Sequence, residues 1–347
     1  MNKNTRLILV IAGSSAALLL AFLAGGLSHR TGLLSDIKAV FIQAPPPTEK
    51  QPEIQPEFGF KFLDNPQLAA LNSLQLPDNQ TPLKFVAAGH IYGKPGDEEF
   101  HPAHTLLTNI ALLKKTAPDF VVLLGDTVWK PSEDSFNELD LLILNQFEVP
   151  VFNAVGNHDV TDRELYQSRY GDTVFAFRYK NQLFFILDTT LNYYDLTSDQ
   201  YSFISNTIRG QSLNLEAIHI FMHHVLFLED DELNSKQLLK PNEGNGRSLE
   251  FWTYVENELI LVSEIIPIYI YAGDVGAFNG GNLSPLFKKM SEQNIFFMAT
   301  GLGGNPSDSI LIVEADPEGN LKFQPYSLTG KQMHAIETYT MYYWLDQ

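Results

Sequence analysis

Cysteine is absent from the 347-residue sequence. This absence excludes disulfide bonds, thiolate nucleophiles and zinc or iron–sulfur sites with cysteine ligands. It also excludes a lipoprotein anchor, because such an anchor is attached through a cysteine. A chain without disulfides is compatible with an oxidising compartment, but the absence of cysteine does not identify one.

Positive charge is also scarce. The chain has 23 Lys and Arg residues against 41 Asp and Glu residues, so its net charge is −18. Such a surface repels phosphate backbones and anionic lipid headgroups, and we expect no nucleic acid as a partner. The charge of a substrate stays open, because the local field of a cleft can oppose the global charge. Hydrophobic residues make up 44% of the chain, which is enough for a large core.

Charged residues are missing from one long apolar stretch, residues 7–28. As a helix these residues would span about 33 Å, enough to cross the bilayer core. Lys3 and Arg6 precede the stretch, so the positive-inside rule places residues 1–6 in the cytoplasm. We expect a single-pass signal-anchor helix with the rest of the chain on the periplasmic or extracellular side. A cleaved signal peptide is the alternative, although its apolar region is usually shorter, about 7–15 residues.

A proline-rich segment follows the predicted anchor. Residues 43–59 include five prolines, which favour a stiff and extended spacer. We interpret residues 29–80 as a linker or stalk, residues 81–330 as one globular domain, and residues 331–347 as an aromatic C-terminal tail. We expect this tail to pack back on the domain; a position near the membrane interface is the alternative.

Apolar β-rich runs alternate with helical stretches in the globular part. In the order strand, helix, strand, helix, strand, they are residues 83–89, 104–116, 119–126, 136–147 and 149–157. Continuous apolar strands of this kind are typical of a parallel sheet covered on both faces. The adjacent runs 173–180 and 182–189 predict an antiparallel hairpin, so the sheet is mixed. We expect an α/β fold of two stacked mixed sheets flanked by helices, a four-layer αββα sandwich.

Polar residues cluster just past the ends of five predicted strands. They are Gly89-His90, Gly125-Asp126, Gly156-Asn157-His158-Asp159, His223-His224 and Gly273-Asp274. Ligands of open α/β sheets gather at the carboxyl ends of the strands. Histidine, aspartate and asparagine at five such ends favour a metal site with nitrogen and oxygen ligands.

The order of these motifs resembles that of the calcineurin-like metallophosphoesterases. That family carries Asp-x-His, Gly-Asp, Gly-Asn-His-Asp/Glu, a lone or paired His, and Gly-His-x-His. The sequence has AAGH (87–90), GDTV (125–128), GNHD (156–159), MHHV (222–225) and YAGDVG (271–276) in the same order. The resemblance implies a metallo-dependent phosphatase-like fold and a metal-dependent hydrolase of phosphoric esters, in which metal-activated water attacks phosphorus.

The resemblance assigns the metal ligands residue by residue. Asp126 matches the aspartate that bridges two metals, and Asn157 matches an asparagine that binds the second metal. His223, with His224 as the fallback, matches a histidine ligand of the second metal. Asp274 stands where the family has the first histidine of Gly-His-x-His. The resemblance therefore implies a full ligand set for the second metal.

The first metal lacks half of its ligands. Ala88 replaces its aspartate and Gly276 replaces its second histidine, so that only His90 and the bridging Asp126 remain. A cation held by two protein ligands is bound weakly, and we expect one tightly bound divalent ion, either Mn, Fe or Zn. Two histidines at the start of a predicted helix are candidate substitutes for the missing ligands: His101 and His104.

Further polar residues are candidates for catalysis and substrate binding. His158 matches the family histidine that protonates the leaving oxygen or stabilises the charge on the phosphoryl group, and Asp159 is its expected orienting partner. His224 and Arg247 are candidate substrate-binding residues, because an arginine can clamp a phosphate. A plain solvated loop is the alternative interpretation of Arg247.

Two functions remain open from the sequence. Retention of His158 together with a full second-metal ligand set favours a phosphoesterase that acts on a phosphoester substrate. Ala88 and Gly276 favour a catalytically weak or inactive pseudo-phosphoesterase, used as a binding or assembly module in the cell envelope. Metal content and hydrolysis of an aryl phosphate discriminate between the two.

Overall fold

Two stacked β-sheets form the centre of the fold in the computed structural model, which describes residues 59–94, 102–228, 244–276, 283–303 and 306–346. The predicted anchor, residues 7–28, and most of the predicted stalk lie outside these ranges. No helix within the described ranges is long and apolar enough to cross a membrane.

The smaller sheet has five strands. They are β2 (Lys84–Ala88), β3 (Phe120–Leu123), β4 (Val151–Asn153), β11 (Ser309–Ala315) and β12 (Leu321–Ser327). The strand order is β12-β11-β2-β3-β4, in which β2, β3 and β4 are parallel and β11 runs antiparallel to β2. The three parallel strands therefore end at the same edge of this sheet.

The larger sheet has seven strands. They are β1 (Lys61–Leu63), β5 (Phe175–Tyr179), β6 (Gln182–Ile186), β7 (Ala217–Phe221), β8 (Ile268–Ala272), β9 (Leu286–Lys289) and β10 (Ile295–Ala299). Their order is β1-β5-β6-β7-β8-β10-β9, with β6, β7, β8 and β10 parallel. The predicted hairpin is confirmed, since β5 and β6 pair antiparallel.

Helices cover the outer faces of both sheets. They are α1 (His104–Lys115), α2 (Glu133–Leu142), α3 (Arg163–Tyr170), α4 (Ser198–Gln211), α5 (Leu249–Tyr254), α6 (Ile260–Ser263) and α7 (Met341–Leu345). One apolar cluster joins α1, α2 and α3 to the smaller sheet, and another joins α4 and α5 to the larger sheet. The prediction of two mixed sheets flanked by helices, a four-layer sandwich, is confirmed.

The core between the two sheets is built from aromatic rings. Phe85 and Phe120 of the smaller sheet are fully buried and stack with their ring centroids 5.0 Å apart. Phe177 and Phe184 of the larger sheet stack in the same way at 5.1 Å. Phe184 meets Phe120 edge-on at 5.3 Å, so the two sheets interlock through rings in the arrangement that aromatic quadrupoles favour.

The packed domain extends beyond the expected boundary at residue 81. Strand β1 pairs parallel with β5, and Phe60 joins the apolar cluster of the larger sheet. Residues 59–80 are therefore part of the fold and not of a stalk, because they offer apolar side chains and backbone groups to the sheets. At the other end, Trp344 donates a hydrogen bond from Nε1 to the carbonyl of Pro285 at 3.0 Å. The described part of the aromatic tail packs on the domain, as predicted.

Candidate metal centre

The carboxyl ends of five parallel strands carry the candidate ligands. In the smaller sheet, His90 follows β2, Asp126 follows β3 and residues 157–159 follow β4. In the larger sheet, His223 and His224 follow β7, and Asp274 follows β8. Both groups lie at the same edge of the sandwich, since Nδ1 of His223 donates to the carbonyl of Leu124, just after β3, at 2.7 Å.

His90 is a buried and neutral histidine that faces Asp126. Its Nδ1 donates a hydrogen bond to the carbonyl of Leu302 at 2.8 Å, which leaves Nε2 as the free ring nitrogen. Burial, together with the nearby His223, lowers the pKa of His90 to about 3. Nε2 lies 3.6 Å from Oδ2 of Asp126, so its lone pair points to the space beside a carboxylate.

Asp126 is held in a left-handed backbone conformation with φ of 56°. A non-glycine residue rarely adopts such a conformation unless the surrounding structure maintains it. Its Oδ1 accepts a hydrogen bond from the backbone N–H of His158 at 3.1 Å. The pKa of Asp126 is raised to about 7, mainly by burial, with His158 opposing the shift and Asp159 adding to it. A buried carboxylate of this kind is stabilised by a cation.

Two further buried histidines present free ring nitrogens. Nε2 of His223 lies 3.4 Å from Oδ1 of Asp126 and 4.0 Å from Oδ1 of Asp274. His224 is also fully buried, and its Nδ1 lies 2.6 Å from the hydroxyl oxygen of Thr189. Burial lowers the pKa of His224 well below its usual value. Within the described residues, neither Nε2 atom has a hydrogen-bond partner.

These side chains fit a divalent cation. The ligand atoms of His90, Asp126 and Asp274 all lie within 4.8 Å of one another, and so do those of His223, His224 and Asp274. Buried polar atoms nearly always find a partner in folded proteins, so two unpartnered imidazole nitrogens need an explanation. Imidazole and carboxylate donors are common ligands of Mn, Fe and Zn, and a cation at this place satisfies both nitrogens.

The ring of His158 is fixed by Trp129 and not by Asp159. Nδ1 of His158 donates to the carbonyl of Trp129 at 2.8 Å, and the two rings stack with centroids 4.3 Å apart. The ring of Tyr92 meets His158 edge-on at 5.2 Å. His158 is half-buried. The expected pairing of Asp159 with this ring is therefore corrected.

Asp159 instead holds the loop that carries Asp126. It is fully buried, and its Oδ2 accepts from the backbone N–H groups of Asp126 and Gly156, both at 2.9 Å. Its Oδ1 accepts from the backbone N–H of Thr127 at 2.7 Å. The carboxylate takes these bonds because the turns after β3 and β4 leave several backbone donors without partners. Asp159 thus positions a candidate ligand and does not orient the candidate acid.

The structure offers no room for the ligand that Gly276 replaces. A Cβ atom on Gly276 would lie 1.9 Å from the carbonyl oxygen of Leu302 and 2.9 Å from Nδ1 of His90. The other missing position, Ala88, is buried in the apolar cluster beneath α1. Neither position could take the family's ligand without a change in the surrounding packing.

Four other residues that the sequence analysis singled out have different outcomes. Asn157 is half-buried, and its side chain makes no hydrogen bond within the described residues. Arg247 is exposed and pairs through its backbone with Phe227. His104 is exposed at the start of α1, and His101 lies outside the described residues. The roles of Asn157 and Arg247 stay predictions.

Sequence reasoning missed several side chains that shape the centre. Asn245 donates from Nδ2 to Oδ2 of Asp274 at 3.1 Å and to its backbone carbonyl at 2.6 Å. Thr189 contacts His224, and Trp129 and Tyr92 surround His158. Tyr92 comes two positions after His90 and Trp129 three positions after Asp126, so their closeness to the motifs could have indicated that they lie at the site. Thr189 follows a strand that carries no motif, so nothing in the sequence indicated it.

Comparison with known proteins identifies relatives of the chain. The family model for calcineurin-like phosphoesterases matches residues 30–276, more than half of the chain. A search of curated proteins found no significant match. Among solved structures, the chain is similar to a dimetal phosphatase from Danio rerio, with 12% identity and a TM-score of 0.49, covering 72% of this chain and 97% of that one. It is also similar to a purple acid phosphatase from yellow lupin (Lupinus luteus) seeds, with 12% identity and a TM-score of 0.48. This match covers 76% of the chain and 54% of the lupin protein.

Proposed function

The chain belongs to the calcineurin-like phosphoesterase family, whose members are metal-dependent hydrolases, and on this premise we propose that its strand-end cluster hydrolyses phosphoric esters. One observation carries the proposal. Two buried imidazole nitrogens, Nε2 of His223 and Nε2 of His224, have no partner within the described residues. Nε2 of His223 lies beside the carboxylates of Asp126 and Asp274, and both histidines belong to one ligand cluster with Asp274. A divalent cation, Mn, Fe or Zn, is the ligand class that satisfies both kinds of donor. When bound, it supplies positive charge beside the phosphoryl oxygens and lowers the pKa of water.

His158 is the proposed proton donor to the leaving oxygen. The carbonyl of Trp129 holds its Nδ1–H, so Nε2 is the ring position that can pass a proton to a substrate. The stacked ring of Trp129 fixes the plane of the imidazole. His158 is half-buried, so its ring remains accessible from solvent. A positioned acid of this kind typically contributes about 10²–10⁴-fold to the rate.

Two further residues have proposed roles beside the cluster. Asn157 is proposed as an additional oxygen ligand, because it precedes His158 in the turn that is hydrogen-bonded to Asp126. Arg247 is proposed as a phosphate contact, since it is exposed and lies two residues past Asn245, which contacts Asp274.

We also propose an extracytoplasmic position for the domain, with residues 7–28 as the anchor, on the basis of their uncharged sequence.

A pseudo-phosphoesterase is the second candidate function. It is favoured by Ala88 and Gly276, because the packing around His90 leaves no space for a ligand at position 276. A fold that keeps the cluster for binding, as a module of the cell envelope, would carry metal without turnover. The experiment below separates the two functions.

The test measures hydrolysis of p-nitrophenyl phosphate and of the bis-p-nitrophenyl diester by the full chain loaded with Mn, Fe or Zn. We expect turnover with at least one metal, and a fall of about 10²–10⁴-fold in kcat for His158→Gln with metal content unchanged. His104→Gln is the matched control, since His104 is exposed outside the cluster. Metal-loaded protein without turnover on either ester would support the binding module instead.

A further inference from the structure

A groove outside the metal cluster lies on the side of the larger sheet, between the start of α4 and the helical segment that begins with α5. Its volume is about 870 Å³, within the range of pockets that hold small molecules. Oγ of Ser248, just before α5, donates to Oδ2 of Asp195, in the loop before α4, so the two walls are joined. Two tyrosines, two glutamates and two leucines are among the lining side chains: Tyr201, Tyr254, Glu250, Glu258, Leu196 and Leu249.

The two tyrosines form an aromatic wall of this groove. Their ring centroids lie 4.7 Å apart, with 35° between the ring planes. The hydroxyl of Tyr201 donates to Oδ1 of Asp195 at 3.2 Å, and the hydroxyl of Tyr254 lies 2.9 Å from Oγ of Ser205. Both phenols are held at the oxygen, which fixes the rings. The face of such a ring attracts cations, because the quadrupole of the ring is negative there.

The charge of the groove is negative. Glu250 and Glu258 are exposed, and among the described residues that line the groove there is no lysine, arginine or histidine. Burial raises the pKa of the adjacent Asp195, and the charge of Glu250 adds to this rise. The two carboxylates are therefore close enough to repel each other, and a cation in the groove would relieve this repulsion.

Two helix ends oppose the negative charge only in part. α4 and α5 both begin at the groove, and the N-terminus of a helix carries about half a positive charge. Asp199 in the first turn of α4 and Glu250 in the first turn of α5 already exceed these two half charges. Asp195 and Glu258 add two further carboxylates, so the field of the groove favours a cation.

A π-helical turn, Val255–Leu259, continues α5 and supplies Glu258 to the groove. Such turns are rare and frequently occur at functional sites. Leu249 is 69% exposed and adds apolar surface to the same groove. A hydrated metal ion gains little from leucine and tyrosine side chains, whereas a cation that carries methyl or methylene groups can contact them and the carboxylates together.

We propose that this groove binds a small organic ammonium ion, whose charge is balanced by Glu250 and Glu258 and whose carbon groups contact Tyr201 and Leu249. The inference does not rest on the proposed function, because binding of the ion requires neither a metal nor turnover. An inactive protein could carry the same site, and an active phosphoesterase could lack it.

The test is calorimetric titration of the full chain with choline and with butylammonium, at physiological ionic strength to screen the acidic surface as a whole. We expect both cations to bind, and dimethylbutanol, the uncharged carbon analogue of choline, to bind at least about fivefold more weakly. Glu250→Gln and Glu258→Gln should each weaken choline binding by about 2–5-fold. Glu256→Gln is the matched control, because it removes an exposed charge from the same π-helical turn but not from the groove lining.

The aromatic contact is tested with two substitutions of one residue. Tyr201→Leu should weaken choline binding by about 2–30-fold, whereas Tyr201→Phe keeps the ring and should retain the affinity. The exposed glutamate variants remain informative if Tyr201→Leu does not fold. Absence of binding by both cations, equal affinity for choline and dimethylbutanol, or equal losses in Glu250→Gln and Glu256→Gln overturns the inference. Displacement of choline by an equal concentration of Mg²⁺ would show a site for inorganic cations and would also overturn it.

Discussion

His219 is a fully buried histidine outside the metal cluster, in the core between the sheets. Its Nε2 donates to Oε1 of Gln182 at 2.6 Å, and its Nδ1 accepts from the hydroxyl of Tyr271 at 3.0 Å. Both ring nitrogens of the neutral form are thus satisfied. Burial lowers the pKa of His219 to about 3, because a charged ring would lose its hydration.

The lowered pKa makes His219 a source of acid sensitivity. The pKa of this histidine is about 6.5 in the unfolded chain and about 3 in the folded chain. At a pH between these two values, the unfolded chain binds a proton at His219 and the folded chain does not. The stability contribution is complete above pH 6.5 and is lost as the pH falls towards 3, by up to about 1.4 kcal/mol per pH unit. We expect His219→Gln to flatten this acid limb in urea unfolding between pH 7 and 4.5. Parallel curves for the variant and for the natural protein would contradict this assignment.

At the same scale, strand-end positions could be predicted and hydrogen-bond partners could not. His90, Asp126, His223 and Asp274 lie together as expected, because each directly follows an apolar run that ends at one edge. Asp159 was assigned to the wrong partner, since the backbone donors that it binds arise only when the turns after β3 and β4 come together.

One hairpin of the larger sheet is tied to the smaller sheet by an ion pair. Lys180 and Asn181 form the turn between β5 and β6, both with positive φ. Nζ of Lys180 lies 2.9 Å from Oδ2 of Asp119, whose side chain is only 4% exposed. The same oxygen accepts from the backbone N–H of Lys84 at 2.9 Å. The contact therefore joins the hairpin to the start of β2 and β3, away from the strand ends that carry the metal centre.

Removal of Lys180 would leave the Asp119 carboxylate buried without its cation. We expect Lys180→Met to lower the free energy of unfolding by about 3 kcal/mol, at the lower end of the cost of breaking a buried pair. Lys61→Met is the matched control, because its pair with Asp172 is exposed on both sides and should contribute less than about 1 kcal/mol. Urea unfolding measures both changes, and equal losses would refute the distinction. Cobalt binding should remain unchanged in both variants.

At the scale of elements, length and periodicity decided what could be predicted. Long apolar runs predicted β2, β3 and the hairpin correctly, since a strand buried on both faces has a continuous hydrophobic sequence. Strand β1 is only three residues long and was missed, because its partner β5 lies more than a hundred residues away. Helix α2 begins at Glu133 and not at residue 136, since Ser132 caps it through the backbone N–H of Ser135.

At the scale of the whole molecule, the layered fold followed from the alternation of strands and helices, but the contact between the sheets at the site did not. The hydrogen bond from His223 to the carbonyl of Leu124 joins a strand end of one sheet to that of the other. No periodicity encodes such a contact. It lies at the junction where Nε2 of His223 approaches carboxylates of both sheets, Asp126 and Asp274.

Because the candidate ligands come from both sheets, a bound cation would cross-link the two halves of the sandwich. A ligand that binds only the folded state at one hundred times its Kd stabilises it by about 2.7 kcal/mol. With an unfolding entropy of about 2.1 cal/mol/K per residue, a chain of this size would show a rise in Tm of roughly 4 °C. We expect EDTA to lower the Tm by this amount and Mn, Zn or Co to restore it. Asp126→Asn and Asp274→Asn should abolish the response, because each removes a ligand charge at the junction, whereas Lys61→Met should retain it. An identical Tm with and without metal would mean that no cation joins the sheets.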